Sequence, residues 1–181
     1  MSVLAAVAAL VALAISLFTL LVVIGLARRV RAGGSQLTPA GSGLAAVTLP
    51  STGRPVPEFR FLATDGQPIQ DSRLTSGRHG VAFVSSSCDA CLDSLPEFVE
   101  LARQVGDRSL AVLLDDSRDR NRTVMMIDRL GSATTLIIDN ETRDVGRRFE
   151  VVSLPTFLGV HDGVIELASH RVGDLAGWLA G

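Results

Sequence analysis

Two cysteines occur in this 181-residue chain, and both lie in Cys88-Asp89-Ala90-Cys91, where the apolar run Val81 to Val84 gives way to a helical pattern. A nucleophilic sulfur must be a thiolate, and a cysteine at a helix N-terminus has that anion stabilised by free backbone N–H groups and the helix dipole. Cys88 stands where that nucleophile would be. Cys91, one turn into the helix, stands where a second thiol would attack a mixed disulfide on Cys88 and release what it holds. The pattern predicts redox chemistry that needs no prosthetic group, because the two sulfurs carry the electrons themselves.

Other uses of a cysteine pair fit these residues less well. A structural zinc site needs four ligands, commonly as two close-spaced pairs, and His79, His161 and His170 show no such spacing. Metal ligation is therefore not expected. Covalent haem attachment needs a His directly after the second cysteine, and that position is Leu92. An inert disulfide stays open as an alternative, although an i to i+3 link closes so short a loop that it restrains the unfolded chain little.

The elements that would position the pair are legible on both sides of it. Leu92, Leu95, Phe98, Val99, Leu101 and Ala102 recur at helical spacing, which predicts a buried face on a helix over 88–105. Pro96 interrupts that helix five residues after Cys91. Much later, Val151 to Val160 reads as an apolar strand with Pro155 inside it, which fits if Leu154-Pro155 is a cis peptide at the start of the strand.

With these features in place, the chain resembles the thioredoxin superfamily, whose spacing is matched by Cys88, Cys91, Pro96 and the Pro155-Thr156 step. From about Pro57 to Gly181, roughly two thirds of the chain, the order is similar to the membrane-tethered TlpA-like and ResA-like thiol-disulfide proteins. Phe59 to Ile69 resembles their opening hairpin, with Asp65-Gly66 as its turn. The greatest likeness is to the MauD-like group, named for methylamine utilisation, through an N-terminal membrane helix, Leu26-Ala27-Arg28-Arg29-Val30 and Pro39-Ala40-Gly41. The resemblance implies an α/β, thioredoxin-like mixed sheet flanked by helices. It also implies protein thiol or disulfide substrates, an upstream electron donor, and an extended-peptide contact at Leu154 and Pro155. Asp89, Pro96 and Thr156 are read as structural neighbours of the site.

The sequence departs from that pattern at three points. Ser87 stands where many thioredoxins carry Trp, and Ala82 replaces a buried acid, so no internal proton acceptor is implied there. Asp89-Ala90 replaces a dipeptide that often contains proline. A carboxylate beside Cys88 opposes thiolate formation, while an acid in the first turn favours the helix. A reductase-like pair is expected rather than a strong oxidant.

Coarse periodicity supplies the remaining elements: strands over 80–85, 109–114, 134–138, 155–160 and 164–169, and helices over 118–130 and 142–149. Leu175, Trp178 and Leu179 form the apolar stripe of a closing helix. Alternating strands and helices ending in a hairpin predict a mixed sheet between helical layers.

Ahead of this domain (57–181), Val3 to Ala27 is 25 residues without a charge, long enough to cross a hydrocarbon core of about 30 Å. Met1-Ser2 lacks the basic start of a cleaved signal peptide, so 1–31 reads as a single-pass anchor with a basic flank. Residues 32–56, rich in Gly, Ser, Thr, Ala and Pro, read as a flexible linker. Arg28, Arg29 and Arg31 would hold the C-terminal side in the cytoplasm by the positive-inside rule. The resemblance implies the opposite, a redox domain outside the cytoplasmic membrane, and that orientation is the expectation adopted.

Composition narrows the function classes further. A formal net charge of −2 and 4% aromatic residues offer neither a basic field nor stacking platforms, so nucleic-acid binding is not expected. All 17 basic residues are Arg, which reads as genomic base-composition bias. Asp115 and Asp116 read as a helix cap, Arg118, Arg120 and Arg122 as a solvated face, and Met125-Met126 as core and its margin. His79 and His161 show no partner in the sequence. Two further functional readings stay open: a copper-handling metallochaperone or assembly factor, and a non-catalytic scaffold of a membrane complex.

Overall fold

The computed structural model describes residues 49–115, 119–140 and 144–181. The expected membrane anchor and the linker up to residue 48 lie outside them. Among the described residues no helix is long and apolar enough to cross a membrane.

In chain order the elements are β1 (Arg54–Pro55), β2 (Arg60–Leu62), β3 (Pro68–Gln70), β4 (Arg78–Val84), α1 (Asp89–Val105), β5 (Ser109–Leu114), α2 (Arg120–Gly131), β6 (Thr135–Asp139), α3 (Asp144–Arg148), β7 (Thr156–His161), β8 (Val164–Ser169) and α4 (Val172–Ala180). Single 3-10 turns fill Asp71–Leu74 and Gly106–Arg108. Six strands form one mixed sheet in the order β1-β8-β7-β4-β5-β6. The β4, β5 and β6 ladders are parallel, as strands joined through helices must be, whereas β7 and β8 form an antiparallel hairpin that returns against β4. This is the mixed sheet between helices that the sequence predicts.

Strand alternation divides the core between the two faces. Ala82, Val84, Ala111, Leu113, Leu136 and Phe157 face α1, α2 and α4, which contribute Cys91, Leu95, Phe98, Met126, Leu130, Val172 and Leu175. Val81, Phe83, Leu110, Val112, Ile137 and Leu158 face the other way, onto Phe59, Ile69, Leu74, Val145 and Phe149. Burial on both faces explains why these central strands read as continuous apolar runs.

The β2–β3 hairpin turns at Asp65-Gly66, as predicted: Gly66 takes a φ of 82° and the Asp65 carboxylate accepts from the Gln67 N–H at 2.9 Å. Ala63 then bridges Ile137, so the hairpin lies along the β6 edge that would otherwise expose an unpaired backbone. The last residues of the stretch read as linker form β1, which pairs with β8 through Arg54↔Ile165 and Pro55↔Val164. Two residues, one of them proline, carry no periodicity from which that strand could be read.

Trp178 lies on the expected apolar stripe and packs against the core that holds Leu175 and Leu179. It is half-buried, a Cβ placed on Gly159 would stand 2.7 Å from its ring, and the Arg78 guanidinium lies 5.1 Å from its ring centroid. Gly159 is what lets the indole rest against β7.

Candidate active site

The chain leaves β4 at Val84 and passes through buried Ser85 and Ser86 before emerging at exposed Ser87. Cys88 is extended (φ −103°, ψ 109°) and caps α1: its Sγ accepts from the Cys91 N–H at 3.1 Å, and its carbonyl accepts from Leu92 N–H at 3.2 Å. Cys88 is thus the N-cap rather than the first helical residue, and its sulfur accepts from an N–H of the first turn. The two cysteines are joined as a disulfide with 5.2 Å between Cα atoms. They are not equivalent. Cys88 is half-buried and borders solvent-facing Ser87 and Asp89, whereas Cys91 is 0% exposed on the core side of the helix.

Asp89 has a partner that the sequence did not reveal. Arg122, read as part of a solvated face, donates through its guanidinium to the Asp89 carboxylate at 2.8 Å and also lies 3.3 Å from Asp119. The charge beside Cys88 is therefore paired with a cation. Both groups are exposed, so the compensation is weak.

Asp119 also corrects the expected cap of α2. Its carboxylate accepts from the Arg122 N–H at 3.1 Å, because the helix begins at Arg120 rather than 118. Asp115 lies farther back and accepts instead from the Thr123 hydroxyl at 3.3 Å, while Asp116 lies outside the described residues. The Thr123 hydroxyl is also 2.8 Å from that of buried Ser86. This hydroxyl and carboxylate group, two residues before Cys88, links β4, β5 and α2 at the end of the sheet where the disulfide sits.

Register brings the second expected segment beside the first. Phe83 of β4 pairs with Thr156 of β7, so the end of β4 that leads to Cys88 lies next to the start of β7. Leu154–Pro155 is a cis peptide immediately before that strand, as expected. Pro155 and Thr156 are buried, and half-buried Leu154 packs against both faces of the core. The Thr156 hydroxyl donates to the Ser153 carbonyl at 2.7 Å, and the Pro155 carbonyl accepts from Nδ1 of His170, a residue that sequence reasoning gave no role. Pro96 is exposed inside a helix that continues to Val105. The structure thus brings Cys88, Cys91, Asp89, Leu154, Pro155 and Thr156 to one end of the sheet, with Pro96 farther along α1.

The other singled-out residues lie elsewhere. Met126 is fully buried and Met125 half-buried in the α2 core, as core and margin. His161 has partners after all, Glu166 at 3.2 Å and Asp162 at 3.6 Å, both brought to it by the hairpin. Among the described residues, no group of three His, Cys, Asp or Glu side chains is placed to hold a metal ion.

No protein-family model matches the sequence, and no curated protein matches it significantly. Solved structures do match. The thioredoxin domain of a thiol-disulfide oxidoreductase from Bacteroides vulgatus superposes with a TM-score of 0.56 at 17% identity, covering 72% of this chain and 96% of that one. A secreted Mycobacterium tuberculosis disulfide oxidoreductase, described as homologous to Escherichia coli DsbE, gives 0.54 at 17% identity over 67% and 94% of the two chains. StoA from Bacillus subtilis gives 0.54 at 16% identity, covering 68% of this chain and 96% of its own. With its disulfide at the N-terminus of α1 and the cis-proline opening β7, the domain has the thioredoxin fold.

Proposed function

We propose that this protein is a membrane-tethered thiol-disulfide oxidoreductase that exchanges disulfides with protein substrates through Cys88 and Cys91. One observation carries the reading: a disulfide whose partially exposed sulfur caps a helix and whose second sulfur is buried one turn behind it. An inert cross-link would not need that asymmetry, whereas a nucleophile and a resolving thiol do.

A substrate disulfide docks against Cys88 with its backbone beside Leu154 and Pro155. The Cys88 thiolate attacks one substrate sulfur, forming a mixed disulfide and expelling the other substrate sulfur as a thiolate that takes up a proton. Cys91, deprotonated, attacks the Cys88 sulfur, restores the internal disulfide and releases the second substrate thiol. The substrate has gained two electrons and two protons. An upstream dithiol donor reverses the change in this protein.

The direction follows from charge. Strong oxidants hold an unusually stable thiolate, and Asp89 works against one while Arg122 only partly offsets it. The full chain, kept reduced by dithiothreitol, is expected to reduce insulin disulfides. Equilibration against glutathione should give a potential toward the thioredoxin end near ~−270 mV, and a value near ~−120 mV would overturn the reductase assignment. No turnover with accessible thiols would favour a scaffold.

Placement in the MauD-like group and an extracytoplasmic redox domain rest on the sequence resemblance alone. Alkaline phosphatase fused after Gly181 should be active in a bacterial host. An inactive fusion would instead follow the positive charge at Arg28, Arg29 and Arg31 and place the domain inside.

A further inference from the structure

We propose that His170 is a positioning residue for disulfide exchange, clamping the Ser153–Pro155 loop beside the Cys88–Cys91 end of α1; the proposal rests on the exchange activity above. His170 occupies the single joint between Ser169, the end of β8, and Arg171, the N-cap of α4. Its Nδ1 bonds the Pro155 carbonyl, and its Nε2 lies 3.4 Å from the Ser153 hydroxyl. A carbonyl only accepts, so Nδ1 donates to it, and the Ser153 hydroxyl, which can donate or accept, pairs with Nε2. One imidazole thus grips the loop on both sides of Leu154.

Two other features make this more than the satisfaction of one carbonyl. The Thr156 hydroxyl closes the same loop onto the Ser153 carbonyl at 2.7 Å, so the loop conformation is held from within and from the joint between β8 and α4. His170 also shares a groove wall with Ala90, which lies between the two cysteines, and with Ser94 one turn further along α1. The ring therefore stands at the meeting point of the disulfide helix, the proline loop and the last helix. A substrate that lays its backbone along Leu154-Pro155 binds to a surface whose shape this ring holds. Loosening it should weaken docking more than the sulfur chemistry, which lies within α1.

Full-length wild type, His170→Leu, His170→Asn and Ser153→Ala are compared for KM and kcat in insulin reduction and for the potential of the Cys88–Cys91 couple. His170→Leu should raise KM about tenfold, as expected for losing the bonds to the Pro155 carbonyl and the Ser153 hydroxyl in a half-buried loop, with a much smaller change in kcat and an unchanged potential. An Asn amide can take the place of Nδ1, so His170→Asn should return KM to within about threefold of wild type. An unchanged KM in His170→Leu, or no recovery in a folded His170→Asn, overturns the proposal. Should His170→Leu not fold, Ser153→Ala must raise KM about threefold, and an unchanged value there overturns it equally. A wild type that reduces no insulin defeats the exchange reading itself, whereas an active wild type with these variants unaffected defeats only the role of His170.

Discussion

A full-length Cys91→Ser chain will retain a protein partner on Cys88 through a mixed disulfide, and Cys88→Ser will retain none. The expectation follows from the different surroundings of the two sulfurs. Cys88 is half-buried at the start of α1 with exposed neighbours on both sides, so part of it is open to a substrate sulfur. Cys91 is 0% exposed, so it meets only what Cys88 already holds. In the wild type, resolution is intramolecular, with the second sulfur held one turn away. Without Cys91 the adduct waits for an external thiol, and the loss of that proximity should slow resolution by a factor on the order of 10³ or more. Non-reducing electrophoresis of the captured species, followed by mass spectrometry of the adduct, reads both the site and the partner. Equal capture on Cys91 in the Cys88→Ser chain would reverse the assigned roles. No capture by either variant would remove the grounds for catalysis.

The same asymmetry shows which parts of the site can be read from sequence. Cys88, Cys91 and Pro155 are legible because chemistry or backbone geometry restricts the residue type at each position, and their spacing relates them to a strand and a helix. The central strands are legible as well, since burial on both faces leaves uninterrupted runs such as Val81 to Val84 and Leu110 to Leu114. Arg122 is not. It stands 33 residues from Asp89, and in one dimension it is an arginine among alternating polar residues; only the packing of α2 beside α1 makes it a counter-ion. His170 is hidden for a related reason, because its partner is a backbone carbonyl 15 residues away that has no sequence signature. The α2 cap is not legible either, because three aspartates, Asp115, Asp116 and Asp119, precede one helix start and local pattern does not rank them.

These omissions share a physical cause. Periodicity reports which side of an element meets the core, and motif spacing reports which side chains share a helical turn. Neither reports contacts at the ends of elements, where the segments that meet are remote in sequence. The site lies at such an end: Ser86 leaves β4, Thr123 lies near the start of α2, Pro155 opens β7 and His170 follows β8. The reactive pair is therefore the most readable part of the site and its supporting contacts the least.

Those contacts depend on a shared core, and removing its largest link should destabilise the whole domain. Phe98 lies seven residues after Cys91 on the same face of α1, and Phe157 lies two residues after Pro155 in β7. Their ring centroids are 5.8 Å apart, and the two residues are 1% and 0% exposed. This pair joins the helix that carries the disulfide to the strand that carries the proline. Phe98→Ala is expected to cost about 3–5 kcal/mol, the usual penalty for emptying an aromatic core position, out of a domain stability on the order of 5–15 kcal/mol. Val124→Ala, at a side chain 59% exposed, should change stability by less than about 0.5 kcal/mol. Urea unfolding of the oxidised full chain measures both. If Phe98→Ala unfolds within about 1 kcal/mol of wild type, the walls of the site are held together by something other than this aromatic contact, and the weight falls on the backbone pairing of β4 with β7.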